Sequence, residues 1–487
     1  MILLVLLASL VHAEPALGPA SGAEGGTPSA TPPPLPVEAP AFPDRPAVRP
    51  AAPFSAPTPE VARLSNGVDV WVVPRPSLPL VSVVVAVPGG SSLDASGGEG
   101  LQWLTDRMLT QGAGALDAAA FTAALERLGA TVEVETGRSA STLTLTVRKS
   151  SLPEALDRVA DMILRPAFGR KDVARERGLA VSALVADRDE PVSVATRTVW
   201  SAAFGATHPY GRPTDGTVSG LSTADAASVR GRWKQSWNAD GATVTVAGDV
   251  AREEIVALLE PRLGSPWAVG TRPRPAVPPP TPEAIRTLVV PKPGAAQTMI
   301  AWYFPGHALG APEADAARIG TVVLGGTFTS RLNALLREKR GYTYGVRAAP
   351  LSLPGGGALA ITTRVRADAT GPALVDLVGE LAGIRKGITS EELRKARASY
   401  RQDLVEALEG RESIAQLFAE LHVARLPPGE LDRALQSGAS VGAEAVRTAM
   451  QAYDPARGVL VLVGDPSVVE PAITQAGLGP HRVVDPP

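Results

Sequence analysis

The feature that most constrains the fold of this 487-residue chain is an internal repeat. The stretch Val72–Pro76 recurs as Val289–Pro293, an offset of 217 residues (289 − 72). The stretch Ala242–Asp249 recurs as Gly458–Asp465, an offset of 216 residues (465 − 249). Because two widely separated matches share almost the same offset, the sequence predicts two homologous units in tandem.

Each unit is predicted to mix strands and helices. Polar and apolar residues alternate at Ser141–Val147 and Ala358–Thr363, which is typical of half-buried strands. Segments between the strands show the periodicity of helices. These proportions predict an α+β fold, in which helices pack on a mostly antiparallel sheet in each unit. We predict the first unit over residues 59–268, the second over 284–482, and a Pro-rich linker over 269–283.

A short helix is predicted directly after a Gly-rich loop in the first unit. Leu101, Leu104 and Met108 recur at helical spacing, so they share one face of that helix. The preceding residues Gly97–Gly100 are predicted to form the loop. Apolar stripes of this length are common in core helices, so the pattern alone does not indicate any chemistry.

In its residue order, Gly100–Met108 resembles the Gly-Leu-Ala-His-x-x-Glu-His-Met motif of the inverzincin peptidases. These form the pitrilysin/insulinase (M16) family, which includes members like the mitochondrial processing peptidase. The resemblance implies two homologous α+β units that close around a peptide-binding chamber, the M16 or LuxS-like metallohydrolase fold. When the motif is laid on this sequence, Trp103 and Arg107 replace the two His ligands and Asp106 replaces the Glu base.

These replacements remove the chemistry of the motif. A catalytic zinc needs about three protein ligands and one position open for water, whereas Trp offers only an N–H donor and Arg stays protonated. The chain contains no Cys and five His, no two of them close in sequence: His12, His208, His307, His422 and His481. A conventional His/Cys zinc site is therefore not predicted.

The resemblance also implies where the third zinc ligand would lie. In the family it is a Glu on the helix that corresponds here to residues 173–186, and another acidic residue precedes it on that helix. Glu176 matches the earlier acid, whereas the ligand position falls at Ala183, which has no donor atom. All three ligand positions are thus degenerate, so we predict no metal and no intact catalytic residue in this chain.

The second unit retains the substrate-binding residues of the family. Gly325–Gly345 is similar to the family's C-terminal motif, in which an Arg and, seven residues on, a Tyr contact the substrate at zinc. Arg337 and Tyr344 have this spacing (344 − 337), and the resemblance implies that they grip the peptide and stabilise its oxyanion. Without the resemblance, a solvated basic turn at a helix end would be the more common interpretation.

The N-terminal segment is predicted to direct export. Residues 1–13 are apolar and end in Val-His-Ala, which predicts a signal peptide and a protein of the bacterial periplasm or the secreted fraction. The Pro- and Ala-rich residues 14–58 carry too little large apolar surface to fold, so a disordered tether is predicted. A net charge of −2 and 4% aromatic residues give no reason to expect nucleic acid as a partner.

The predicted function is that of a zinc-less M16 subunit. It would pair with a zinc-bearing M16 homologue and supply Arg337 and Tyr344 for peptide hydrolysis by the heterodimer, so zinc is expected in the partner subunit. Two alternatives stay open. One is a stand-alone peptide-binding or scaffold protein that uses the same chamber without chemistry. The other is an active enzyme with an unusual metal site built from Asp106, Glu99 or Glu176.

Overall fold

The computed structural model of the chain describes residues 52–273, 277–282 and 284–487. The predicted signal peptide and most of the predicted tether lie outside these residues, as do residues 274–276 and 283 of the predicted linker. Both predicted units lie within the described part of the chain, so their architecture can be compared with the prediction.

In the part of the chain that the structure describes, two six-stranded sheets form the framework of the fold. The first contains β1 Glu60–Arg63, β2 Asp69–Pro74, β3 Leu80–Pro88, β4 Thr131–Thr136, β5 Ala140–Arg148 and β6 Thr243–Gly248. The second contains β7 Thr287–Pro291, β8 Gln297–Pro305, β9 Val346–Leu353, β10 Gly356–Arg366, β11 Val459–Gly464 and β12 His481–Val483. The strand orders are β1-β2-β6-β3-β5-β4 and β12-β7-β11-β8-β10-β9.

The two sheets share one strand order apart from their first edge strands. In each sheet the two strands with repeated sequences pair in parallel, β2 with β6 and β7 with β11. The three pairs that follow in each sheet are antiparallel. At the first edge, β1 pairs antiparallel with β2, whereas β12 pairs parallel with β7. The predicted α+β fold class with two units is confirmed.

Helices cover both sheets. Those of the first half are α1 Leu101–Met108, α2 Ala118–Leu128, α3 Leu152–Leu164, α4 Arg170–Ala186, α5 Pro191–Phe204, α6 Val218–Ser222, α7 Ala226–Ser236 and α8 Arg252–Leu259. Those of the second half are α9 Ala314–Thr321, α10 Thr370–Lys386, α11 Ser390–Ala407, α12 Arg411–Val423, α13 Glu430–Ser440, α14 Ala443–Met450 and α15 Pro466–Gln475. Within the described ranges, no helix combines the length and the apolar character needed to cross a bilayer.

The two halves exchange one helix each. From the first half, α5 packs on β8 and β11 of the second sheet, and from the second half, α12 packs on β3 and β6 of the first sheet. The rings of Trp200 and Tyr303 meet edge to face with centroids 5.7 Å apart. On the other side, the Thr245 hydroxyl donates a hydrogen bond of 2.6 Å to the carbonyl of Ala415. Each half therefore completes the core of the other.

This exchange predicts that the halves unfold together. Phe418, on α12, is 1% exposed, and its ring meets that of Trp71 on β2 with centroids 6.1 Å apart. We expect Phe418→Ala to lower the free energy of unfolding by about 3–5 kcal/mol, since a large side chain leaves a packed core. Urea titrations followed by far-UV circular dichroism and by Trp fluorescence should show one shared transition, displaced to lower urea.

The control for this prediction is Val375→Ala on the exposed face of α10, where the side chain is 42% exposed. We expect this variant to change the free energy of unfolding by less than about 0.5 kcal/mol. Two separate transitions in the Phe418→Ala protein, with only one of them displaced, would show that the halves do not share a core.

The residues that precede the first sheet run along the second half. The carbonyl of Ala52 accepts a hydrogen bond of 2.6 Å from Arg401 on α11. The Ala56 N–H donates to Asp432 Oδ1 on α13 at 3.3 Å, and the Ala56 side chain is buried in the core of the second half. Ala52 and Ala56 belong to the segment that the composition assigns to the tether. Both contact the second half, although the chain then enters β1 of the first sheet.

Candidate functional site

The helix that carries the degenerate motif, α1, is anchored at its first turn by Asp94. Asp94 Oδ2 accepts from the Gly100 N–H at 2.8 Å, and Oδ1 accepts from the Gln102 N–H at 2.9 Å. These bonds satisfy donors that the helix itself leaves free. Gly100 has φ +99°, and a Cβ there would lie 2.8 Å from Gly216 Cα, so glycine is required. Burial raises the pKa of Asp94 to about 6, although Arg232 opposes the rise.

Asp106, at the position of the family's Glu base, is buried and accepts four hydrogen bonds. Its Oδ1 accepts from Gln102 Nε2 and Trp237 Nε1, both at 2.7 Å. Its Oδ2 accepts from the hydroxyls of Thr136, at 2.6 Å, and Ser141. The donors come from α1, β4, β5 and the residue that follows α7. The carboxylate therefore ties two helices to the edge of the first sheet.

The environment of Asp106 does not suit a general base. Burial raises its pKa to about 6, although the four hydrogen bonds oppose the rise. Each carboxylate oxygen already accepts two protein donors, and the side chain is only 1% exposed. A general base must come within hydrogen-bond distance of the proton it removes. Asp106 therefore stabilises the structure instead of activating a nucleophile.

Arg107, at the second His position, forms an ion pair with Glu176. Arg107 Nε lies 2.5 Å from Glu176 Oε2, and the Glu176 side chain is 5% exposed, against 48% for Arg107. Arg175 lies 3.3 Å from the other oxygen of the same carboxylate. Arg107 Cζ also lies 5.5 Å from the ring centroid of Trp103. The residues at the two former His positions thus contact each other, and Arg107 neutralises the acid that α4 retains.

The residues at the motif positions do not fit zinc. Trp103 has no acceptor nitrogen, Arg107 is a cation, and Ala183 on α4 is exposed and carries no donor atom. Within the described part of the chain, no group of three or more His, Cys, Asp or Glu side chains is placed to hold a metal ion. In the structure, Arg107 of α1 therefore contacts Trp103 and Glu176, and these side chains do not form a set of metal ligands.

The carboxylates of the alternative metal site are also engaged elsewhere. Asp106 is saturated by its four donors, and Glu176 is paired with Arg107. Glu99 Oε1 accepts from the Gly97 N–H at 2.9 Å in the loop before α1. These three acids do not converge on one point, so the hypothesis of an unusual metal site gains no support.

A cleft of about 530 Å³ opens beside Trp103 and Arg107. One wall is formed by α5, in which the lining residues share one face of the helix: Ser193, Thr196, Arg197 and Trp200. Further lining residues come from β4, from the turn after it and from residues 211–215. All described residues that line the cleft lie between 103 and 215, so the first half builds it alone. Since β4 is an edge strand of its sheet, no strand of the described residues pairs with one side of its backbone.

Arg337 and Tyr344 lie on the surface of the second half. Arg337 belongs to the π-helical segment Asn333–Lys339, and its Cζ lies 3.9 Å from the ring centroid of Phe328. Phe328 is 58% exposed and Tyr344 is 89% exposed. Neither Arg337 nor Tyr344 is among the described residues that line the cleft of the first half. Among the described residues, the predicted substrate-binding pair therefore takes no part in the cleft beside the degenerate motif.

Sequence reasoning missed the residues that surround Asp106 and those that define the cleft. Trp237 lies 131 positions from Asp106, so no local pattern could connect them. Ser141 was visible only as one position of an alternating strand. Arg138, in the turn between β4 and β5, stacks on Trp200 with Cζ 3.8 Å from the ring centroid. A lone Arg in a turn gives no signal of such a contact.

Two family models match consecutive parts of the chain. Residues 70–218 match the model described as Insulinase (Peptidase family M16), and residues 223–400 match the Peptidase M16 inactive domain. A Mycobacterium tuberculosis protein described as an uncharacterized zinc protease is 27% identical over 368 residues, which cover 75% of this chain and 83% of that protein. A Bacillus subtilis protein of the same description is 24% identical over 349 residues, with coverage of 72% and 84%.

Solved structures share the fold. A peptidase M16 inactive domain from Pseudomonas fluorescens has a TM-score of 0.78 at 22% identity, covering 84% of this chain and 98% of its own. A chain of complex III from Candida albicans has a TM-score of 0.72 at 15% identity, with coverage of 86% and 99%. At these identities the structures show the fold alone. The family models and the zinc protease homologues show that the chain belongs to the peptidase M16 family.

Proposed function

We propose that this chain is a non-catalytic M16 subunit that pairs with a zinc-bearing M16 homologue. In this proposal the partner supplies zinc and its ligands, and this chain supplies Arg337 and Tyr344 to the peptide that the partner holds. Hydrolysis then belongs to the pair and not to this chain. We also propose, on the strength of the apolar residues 1–13, that the pair acts after export.

The observation that carries the proposal is the exposure of Tyr344 together with the position of the cleft. Tyr344 is 89% exposed, and the cleft of the same chain is lined within residues 103–215. A residue of the second half can therefore meet a bound peptide when a second chain brings that peptide to it. The degenerate motif agrees with this division, because Trp103 and Arg107 provide no metal ligand.

The chemistry of Arg337 and Tyr344 suits this role. A guanidinium presents several N–H donors in a fixed plane, and a phenol adds an O–H donor, so both can bind a peptide carbonyl as negative charge develops on its oxygen. Arg337 already stacks on Phe328 at 3.9 Å, which limits the conformations that the guanidinium has to lose on binding.

A second candidate function is peptide binding without hydrolysis. It is favoured by the cleft beside β4, because an extended peptide can add to an exposed sheet edge through main-chain hydrogen bonds while its side chains enter a neighbouring cavity. This candidate needs no partner. It also remains compatible with the heterodimer, since peptide held in this cleft would not be hydrolysed there.

The deciding experiment compares the purified chain, a zinc-bearing M16 homologue from the same organism, and their mixture. Hydrolysis of fluorogenic peptides, zinc content and mass by light scattering are measured for each. We expect no hydrolysis and no stoichiometric zinc for this chain alone, and a heterodimer with peptidase activity for the mixture. Peptide binding without a heterodimer would support the second candidate, whereas hydrolysis by the zinc-loaded single chain would contradict both.

A further inference from the structure

Arg138 is held rigidly at the wall of the cleft. It lies in the turn between β4 and β5, and its guanidinium stacks on Trp200 of α5 with Cζ 3.8 Å from the ring centroid. Arg138 Nη1 donates to the carbonyls of Tyr210 and Arg212, both at 2.7 Å. The stack fixes the plane of the guanidinium and the two carbonyls fix its rotation within that plane.

The other two arginines of the cleft are neutralised by carboxylates, but Arg138 is not. Arg107 is paired with Glu176 at 2.5 Å, and Arg197 is paired with Asp215. Among the described residues, Arg138 forms no ion pair, and its Nε and Nη2 donate to no protein acceptor. Asp215 acts on Arg138 only as a more distant charge. Three N–H donors of a fixed cation are therefore left for a ligand.

The charge of this group is present at neutral pH. Burial lowers the pKa of Arg138 to about 10, which still leaves it protonated near pH 7. Of the other two cleft carboxylates, Asp187 lies 4.0 Å from Arg197, and Glu135 has a raised pKa because it is partly desolvated and lies near Glu133. The hydroxyls of Ser193 and Thr196, which line the same cleft, add neutral donors.

We propose that Arg138 forms a carboxylate-binding subsite of the cleft, which takes the acidic side chain or the C-terminal carboxylate of a bound peptide. Nε and Nη2 form the edge of the guanidinium that matches the two oxygens of a carboxylate. Arg138 follows Thr136, the last residue of β4, by two positions (138 − 136), so a peptide added to that edge strand passes close to it. The inference rests on the proposed binding of peptides by this chain.

The test uses three peptides with one shared core and a fluorescent label. The first is amidated at its C-terminus and has no acidic residue, the second is amidated and has one Glu, and the third has a free C-terminal carboxylate and no acidic residue. Their Kd values for the full chain are measured by fluorescence anisotropy. We expect one or both of the acidic peptides to bind about tenfold more tightly than the neutral one. The one that does so identifies the source of the carboxylate.

Arg138→Gln should remove this difference, so that the Kd values of the folded variant for the three peptides agree within about twofold. Arg138→Lys, which keeps the charge but not the planar fork, should keep part of the difference. The matched control is Arg230→Gln, because Arg230 also lies over an aromatic ring, 5.5 Å from Phe168, and donates to a backbone carbonyl, but does not line the cleft. This variant should bind all three peptides like the unmodified chain.

Equal binding of all three peptides by the unmodified chain would overturn the subsite and leave peptide binding intact. That comparison needs no variant, so poor folding of Arg138→Gln cannot hide the result. If a folded Arg138→Gln protein still prefers the acidic peptides, another cation is responsible for the preference. That result would overturn the subsite as well. Binding of none of the peptides would overturn both the subsite and the peptide-binding function on which it rests.

Discussion

Replacement of Arg337 by Ala is expected to lower kcat/KM of the heterodimer for a peptide by about 100- to 1000-fold. This is the size of the loss when one donor to a developing oxyanion is removed from an active site. Arg337→Lys should recover part of the rate, since it restores the charge without the planar donors. The measurement is hydrolysis of a fluorogenic peptide by the partner mixed with each variant, at a partner concentration that saturates the complex.

A matched control lies three positions further along the chain. Arg340 is paired with Asp376 at 3.1 Å and shares the basic character of the turn. Arg340→Ala should leave kcat/KM within about twofold, because a surface ion pair contributes little. Both variants should still form the heterodimer by light scattering. Similar losses for Arg337→Ala and Arg340→Ala would show that the turn contributes only a general positive field, and that Arg337 does not contact the substrate.

Asp106→Ala is expected to lower the free energy of unfolding by about 3 kcal/mol or more. The change leaves Gln102, Trp237, Thr136 and Ser141 without the acceptor that they now share, and each unsatisfied buried donor costs about 1–3 kcal/mol before relaxation. The measurement is a urea titration. A suitable control is Asp117→Ala, which removes the exposed N-cap of α2 and should cost about 1 kcal/mol.

Asp106 also makes the stability depend on pH. Burial raises its pKa from 3.8 to about 6 in the folded chain, so between these values the folded state binds more protons than the unfolded state. The stability from this group is therefore greatest below about pH 4 and is lost as the pH rises through about 6. The loss is about 3 kcal/mol at 1.36 kcal/mol for each pKa unit.

Asp106→Asn should remove this part of the pH profile, because an amide does not titrate in that range. Its NH₂ group can face the hydroxyls of Thr136 and Ser141, which are able to accept as well as donate. Asp94, whose pKa burial also raises to about 6, stays in the variant and keeps its own contribution. Unfolding free energies at intervals from about pH 4 to 7 would test the difference. An unchanged slope would show that Asp106 does not titrate there.

Much of the architecture could be predicted from local sequence. The repeat at offsets of 217 (289 − 72) and 216 (465 − 249) predicts the two units, and the strands that carry the repeated stretches do occupy equivalent places in two sheets. The degenerate motif needs no structure to interpret, because the inability of Trp103 and Arg107 to bind zinc is a property of the side chains themselves. Pattern and residue chemistry are local, so a linear sequence displays them directly.

The contacts that define the site depend instead on packing between distant segments. Trp237 reaches Asp106 across 131 positions, and Arg138 meets Trp200 because α5 crosses to cover the second sheet beside the cleft. The exchange of α5 and α12 follows from the apolar faces of both sheets, since one face of each sheet packs against a helix of the other half. Such burial is a property of the whole chain. Many pairings of helices with sheet faces satisfy the same local periodicity, and only the packing of all elements together favours one of them.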